Sequence, residues 1–204
     1  MTNTFKKKDR KAKYTTVLSI LSALLISTTG TAQITPANNF IGVDVTPTPQ
    51  DSAFDYDSCF ALAVNLGMSR TGLFQNWTTI ETAPMTYDLT IFDIANIYYP
   101  AYNMPIDLTI APIHTNNLEV PSDLTTTAFD NPVFITRFKI LLDSVKAHIP
   151  NITLSSLVIG SEHDAYLWTN ATLWTQYTTF YDSVSAYAKT LWPGLKVATE
   201  LTFN

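Results

Sequence analysis

The sequence predicts an α/β fold, a (β/α)8 TIM barrel truncated after about strand five, and three observations point to it. Strand-like apolar runs alternate with helix-patterned stretches from Phe40 to the end. The fourth of these runs is apolar throughout, as strands buried on both faces of a parallel sheet are. The fifth run is followed by no helix, whereas an open doubly wound sheet would normally close with one. A barrel takes ~250 residues, against 204 here.

The elements follow in order. Residues 40–45 form the first strand and residues 52–66 the first helix. The second strand covers residues 71–74, and the helix over 89–99 carries Ile91, Ile94, Ala95 and Tyr98 at helical spacing. The third strand, 106–113, starts after a proline. Phe134, Phe138, Leu141, Leu142, Val145 and Ile149 make the clearest helix, stopped at Pro150. The fourth strand is 154–160. Its helix presents Leu173, Tyr177, Phe180, Tyr181, Val184, Ala188 and Leu191 and is stopped by Pro193-Gly194. The fifth strand is 195–203. As the first five units of a barrel, the chain is expected to fold poorly alone, because strands one and five would be long apolar edges.

Charge divides the chain. Residues 1–13 hold six of the twelve basic groups, a short apolar run follows, and small residues end at Ala32. This order predicts a secretory signal peptide over residues 1–32, with Gln33 the first residue left and the product secreted, extracellular or periplasmic. The apolar run is shorter than the ~20 residues of a bilayer span, so no membrane association is expected after leader removal; a retained anchor is the alternative. Residues 33–204 then carry six Lys or Arg against sixteen Asp or Glu, a net charge near −10. Such a chain repels phosphate backbones, which disfavours a nucleic-acid partner. Cys59 is the only cysteine, so no intrachain disulfide forms, and its apolar helical setting predicts a buried hydrophobe.

The fourth strand ends Val158-Ile159-Gly160-Ser161-Glu162-His163-Asp164. A carboxylate there stands at the carboxyl end of a parallel strand, where barrels and open sheets alike build their sites. Strict alternation would put Val158, Gly160 and Glu162 on one face, with Gly160 leaving room for a ligand or another side chain. No two histidines share a ligating spacing and no acidic triplet resembles a calcium loop, so no metal and no cofactor is expected.

With Ile159-Gly160-Ser161-Glu162 in this place, the chain resembles the retaining β/α-barrel glycoside hydrolases that include cellulases, mannanases and endo-galactanases. A second segment, Trp77-Thr78-Thr79-Ile80-Glu81 with Pro84, Tyr87 and Asp88, looks like their Trp-x-x-Ile-Glu-x-x-Pro-x-x-Tyr-Asp stretch after strand two. The resemblance implies that Glu162 is the general acid/base and that Glu81 is structural. It places the nucleophile on strand seven, beyond residue 204. It also makes Ser161, His114, Trp77 and His163 candidate carbohydrate-binding residues: Trp77 as a stacking platform or as core, His114 as a hydroxyl partner or a loop residue, His163 tuning the acid or touching substrate. Asp164 is expected to be structural and Glu200 incidental. Where the family has Asn before the acid, this chain has Ser161.

The function expected is thus a secreted glycoside hydrolase cleaving O-glycosidic bonds by a retaining two-carboxylate mechanism, present as an incomplete chain. The alternatives are a non-catalytic carbohydrate-binding barrel homologue and an inactive fragment.

Overall fold

The structure is a computed structural model describing residues 40–46 and 55–203. The expected leader and its Ala32–Gln33 junction lie outside the described residues, as does the start of the helix expected from residue 52.

A parallel sheet organises the described residues. Its strands are β1 (Gly42–Val43), β2 (Arg70–Asn76), β5 (Ile106–His114), β7 (Leu154–Ser161) and β8 (Lys196–Ala198), in that spatial order and all parallel. Between them run α1 (Tyr56–Asn65), α3 (Thr90–Ala101), α4 (Pro132–His148) and α6 (Ala171–Leu191). Short additions decorate the strand ends: α2 (Trp77–Ile80), the hairpin β3 (Glu81–Ala83) and β4 (Thr86–Tyr87), β6 (Asn117–Leu118) antiparallel to β5, and α5 (His163–Leu167). Four strand–helix alternations and a fifth strand therefore appear as the sequence predicts, and the barrel is not closed.

Three of the helices begin at a residue whose side chain satisfies orphan N–H groups. Asp55 accepts from Ser58 N at 2.8 Å to start α1, and Asn131 accepts from Val133 N at 2.8 Å, with Pro132 at the first helical position of α4. Asn170 accepts from both Thr172 N and Leu173 N at 3.1 Å to start α6. One face of the sheet packs on these helices: Leu108, Ile110, Leu157 and Ile159 are fully buried in a core with Phe134, Phe138 and Phe180. Phe138 and Phe180 meet edge to face, centroids 5.1 Å apart at 84°.

The other face is mixed. It carries Gly72, Phe74, Asp107, Thr109 and Val158, all half-buried, and an ion pair between Arg70 Nε and Asp107 Oδ2 at 3.3 Å. Ser156 Oγ donates to Asp107 Oδ1 at 2.6 Å beside that pair. Polar groups on this face are held at the lower strand ends and an open surface is left above them.

The expected edges are corrected in length. Only Gly42–Val43 and Lys196–Ala198 pair at the two sides of the sheet, in place of the predicted runs 40–45 and 195–203. A strand keeps its ladder where neighbours flank it on both sides, and here only β2, β5 and β7 are flanked in that way. Cys59 is half-buried, against the burial expected of it, because α1 turns Phe60 into the core and Cys59 only part-way.

Candidate active site

The site lies at the carboxyl ends of β5, β7 and β8. β7 delivers Ser161 and Glu162, β5 delivers His114 and Thr115, and the chain leaving β8 brings Thr199, Glu200 and Thr202 across to them.

Backbone geometry fixes the acid. Glu162 sits in the left-handed region at φ 50°, ψ 34°, and Thr115 faces it with φ 56°. Thr115 holds the end of β7 twice: its N donates to Ser161 O at 2.8 Å, and its Oγ1 donates to Glu162 Oε2 at 2.9 Å. Non-glycine residues pay of order 1–3 kcal/mol for such conformations, which persist where the surroundings over-determine them.

Strict alternation along β7 breaks at Gly160, a correction to the sequence reading. Gly160 has φ +81°, and a Cβ built on it would lie 2.3 Å from Tyr177 Oη. The space above Gly160 therefore holds Tyr177 from α6, whose hydroxyl donates to Ile159 O at 2.9 Å. Burial raises the Tyr177 pKa well beyond its ordinary value, keeping this hydroxyl a donor.

Ser161 and Glu200 form a pair. Ser161 Oγ donates to Glu200 Oε2 at 2.8 Å, while Glu200 N donates to Gly160 O at 3.4 Å. Both residues line a cavity of about 400 Å³ on the open face of the sheet, together with Asp44, Phe74, Thr109 and His114. His114 stands half-buried with its ring 4.8 Å from that of Phe74, so the structure puts it in the same cavity as Ser161. Glu200, set aside in the sequence reading, belongs to the site.

Two candidates fall away as substrate contacts. Trp77 is 0% exposed, edge-on to Phe134 at 5.2 Å and Phe138 at 5.0 Å, so core packing and not sugar stacking accounts for it. His163 is also buried: its ring stacks on Tyr177 at 4.5 Å, its Nδ1 donates to Glu200 O at 3.0 Å, and Thr199 Oγ1 stands 3.0 Å from the same nitrogen. Because Thr199 Oγ1 donates its own proton to Ile159 O at 2.8 Å, it accepts from His163, which sets the Nδ1–H tautomer. Burial pushes the His163 pKa down, outweighing the bond to Glu200 O and the Asp164 charge. His163 therefore positions Glu200 from beneath as a neutral ring. Asp164 staples the same segment, accepting from Thr202 N at 2.8 Å and from Thr202 Oγ1. Burial works against its carboxylate, but the Thr202 bonds prevail and its pKa is lowered.

Glu81 is structural. It is 1% exposed and accepts from Trp77 Nε1 at 2.9 Å, Met85 N at 2.7 Å and Arg137 Nε at 2.5 Å. Among the described residues, no group of three or more His, Cys, Asp or Glu side chains is placed to hold a metal ion, and no helix is long and apolar enough to cross a membrane.

No family model matches this sequence, and no curated protein does. Solved structures do. An exo-β-1,4-mannosidase from Opitutaceae bacterium strain TAV5 superposes with a TM-score of 0.64 at 18% identity, over 79% of this chain and 31% of that one. A family 5, subfamily 18 glycoside hydrolase from Streptomyces cattleya, solved with GlcNAc, gives 0.60 at 14% identity, over 80% of this chain and 44% of that one. The fold is that of the β/α-barrel glycoside hydrolases. A family 39 glycoside hydrolase from Bacteroides cellulosilyticus WH2 shares it at 0.52 and 15% identity. The chain spans 30% to 44% of the length of these three structures, so what it supplies of the glycosidase fold is an arc.

Proposed function

We propose that this chain forms one wall of the active site of a secreted glycoside hydrolase, with Glu162 as general acid/base of a retaining mechanism on a polysaccharide or oligosaccharide. The observation that carries the reading is the Glu162 carboxylate at the end of the fourth parallel strand, held there by the Thr115 hydroxyl. Retaining hydrolysis uses two carboxyl groups about 5 Å apart. One protonates the leaving oxygen and then, ionised, takes a proton from water; the other attacks the anomeric carbon. Glu162 suits the first role. The nucleophile is assigned to no residue up to 204. Sugar hydroxyls would donate to Glu200 and Asp44, and His114 would offer a ring nitrogen. The basic and apolar order of residues 1–32 supports secretion.

Replacing Glu162 with Gln in the protein as encoded tests this. General acid–base assistance is worth roughly 10²–10⁴-fold, so turnover of natural polysaccharide should fall by that much. Glycosylation by an activated aryl glycoside, whose leaving group departs unprotonated, should be nearly unaffected. Equal loss on both substrates with intact folding would remove Glu162 from the role. The Ser161–Glu200 bond favours one second reading, a barrel that binds carbohydrate without cleaving it, because the Ser161 proton is already committed. Oligosaccharide binding with no turnover would support it.

A further inference from the structure

Residues 159–163 wind around one side chain. Tyr177, from α6, is 2% exposed, its ring edge-on to that of Phe129 at 5.5 Å. Ahead of the acid, the Tyr177 hydroxyl donates to Ile159 O at 2.9 Å, and the left-handed turn at Gly160 carries the backbone so close to that oxygen that a Cβ there would clash with it. Beyond the acid, the His163 ring lies against the Tyr177 ring, with centroids 4.5 Å apart and planes 21° apart. The phenol therefore touches the chain on both sides of Ser161-Glu162. The same Cβ at Gly160 would stand 3.6 Å from His163 Cβ, so the two ends of the segment approach each other there.

Packing accounts for the ring and not for the hydroxyl. A buried hydroxyl gives up its bonds to water, and phenylalanine would fill the same core space without that cost. Ile159 O is not short of a donor either, because Thr199 Oγ1 also reaches it, at 2.8 Å. What the second donor adds is position. Regular pairing of β7 with β8 ends at Val158 and Ala198. One residue later, the two hydroxyls fix the Ile159 carbonyl from α6 and from the chain leaving β8. Three residues on stands Glu162, left-handed at φ 50°, with its carboxylate on Thr115 Oγ1.

We propose that Tyr177 is a positioning residue for the Glu162 carboxylate: with its hydroxyl on Ile159 O and its ring against His163, it holds the segment that presents Glu162 to Thr115. The consequence for catalysis rests on the reading of Glu162 as general acid/base, so the segment is measured separately from cleavage and the two can fail apart. In the protein as encoded, Tyr177→Phe keeps the ring and its stack on His163, and Thr199 still serves Ile159 O. The melting temperature should therefore fall by no more than about 4 °C. By NMR, the Cα and Cδ carbon signals of Glu162 should nevertheless shift, since they report its backbone and its carboxylate. Misplacement of a reacting group by about 1 Å can cost about 10²-fold. Thus kcat on natural polysaccharide should fall roughly tenfold or more at unchanged KM, while glycosylation by an activated aryl glycoside is nearly unaffected. Phe129→Leu loosens the packing on the same ring and leaves the hydroxyl in place, so it should lower the melting temperature with neither the Glu162 shifts nor the difference between substrates. That difference appearing in Phe129→Leu as well would overturn the proposal, because packing would then explain it. Unmoved Glu162 signals in Tyr177→Phe overturn it even where cleavage is confirmed, and so does equal slowing on both substrates. If the wild-type protein cleaves nothing, moved signals uphold the positioning and the hydrolase reading alone fails.

Discussion

Two glutamates follow two parallel strands of this sheet, and their surroundings differ. Glu81, after β2, is sealed from solvent and accepts three donors, from Trp77, Met85 and Arg137. Glu162, after β7, is half-buried, held by the Thr115 hydroxyl, and sits on a left-handed backbone. Both oxygens of Glu81 accept donors, whereas Glu162 is held at Oε2 by one hydroxyl. The first arrangement closes a loop onto helix α4, and the second holds a half-buried carboxylate against the end of β5.

The largest effect on folding is expected on the sealed side. Glu81→Ala leaves Arg137, whose side chain is 11% exposed, without its buried partner, and such a loss costs about 3–5 kcal/mol. Denaturant unfolding should show it; a loss under about 1 kcal/mol would mean that the pair is not the lock described here.

Next is the hinge beneath the acid. Gly160→Ala meets Tyr177 Oη and a φ of +81° at once, and should cost about 3 kcal/mol from overpacking and left-handed strain together. In a Tyr177→Phe background the added cost should shrink, because the clashing oxygen is gone. Strictly additive losses in that double-mutant cycle would place the strain in the backbone alone.

Thr115→Val keeps shape and removes the grip on Glu162. Hydrogen bonds to charged groups are worth about 1.5–3 kcal/mol, so a rate loss of about 10-fold or more on natural substrate is expected, with little change in melting temperature. Full activity in this variant would show that Thr115 does not orient the acid.

The smallest effect is one of pH. Burial lowers the His163 pKa in the folded state, so the unfolded chain takes up the proton first as pH falls below about 6.5. The stability associated with the neutral ring is present above that pH and is lost as pH falls toward the folded pKa. Asp164, with its pKa lowered, adds a second loss below about 3.9. His163→Asn, which keeps a donor near Nδ1 but cannot titrate, should flatten the slope between about pH 6.5 and 5. An unchanged slope would assign it to other groups.

The same contrast explains what the sequence could and could not tell. β7 and the Glu162 position were legible because a buried strand leaves a continuous apolar run and a carboxylate at its end stands out. Trp77 was left open between stacking platform and core because the motif around it is the same whether the ring stacks on sugar or on a helix. What decides is α4, whose Phe134 and Phe138 arrive more than fifty residues later. Glu200 and Thr115 were illegible for a related reason. Each acts through long-range hydrogen bonds, among them those to Ser161 and to Glu162, that leave no periodicity behind. At Gly160 the sequence left room for a ligand or another side chain, and the structure fills it with Tyr177; the positive φ there leaves no mark in the sequence, because glycine in a strand reports only a missing side chain.

The most direct measurement is azide rescue of the Glu162→Ala variant of the protein as encoded, with the anomeric configuration of the product read by NMR. In a retaining mechanism, azide attacks the glycosyl-enzyme without needing a base and occupies the space the carboxylate left. The account predicts that azide accelerates turnover of an activated aryl glycoside and yields a glycosyl azide with the configuration of the substrate. No acceleration in a folded variant, or a product of inverted configuration, would contradict Glu162 as the acid/base of a retaining hydrolase.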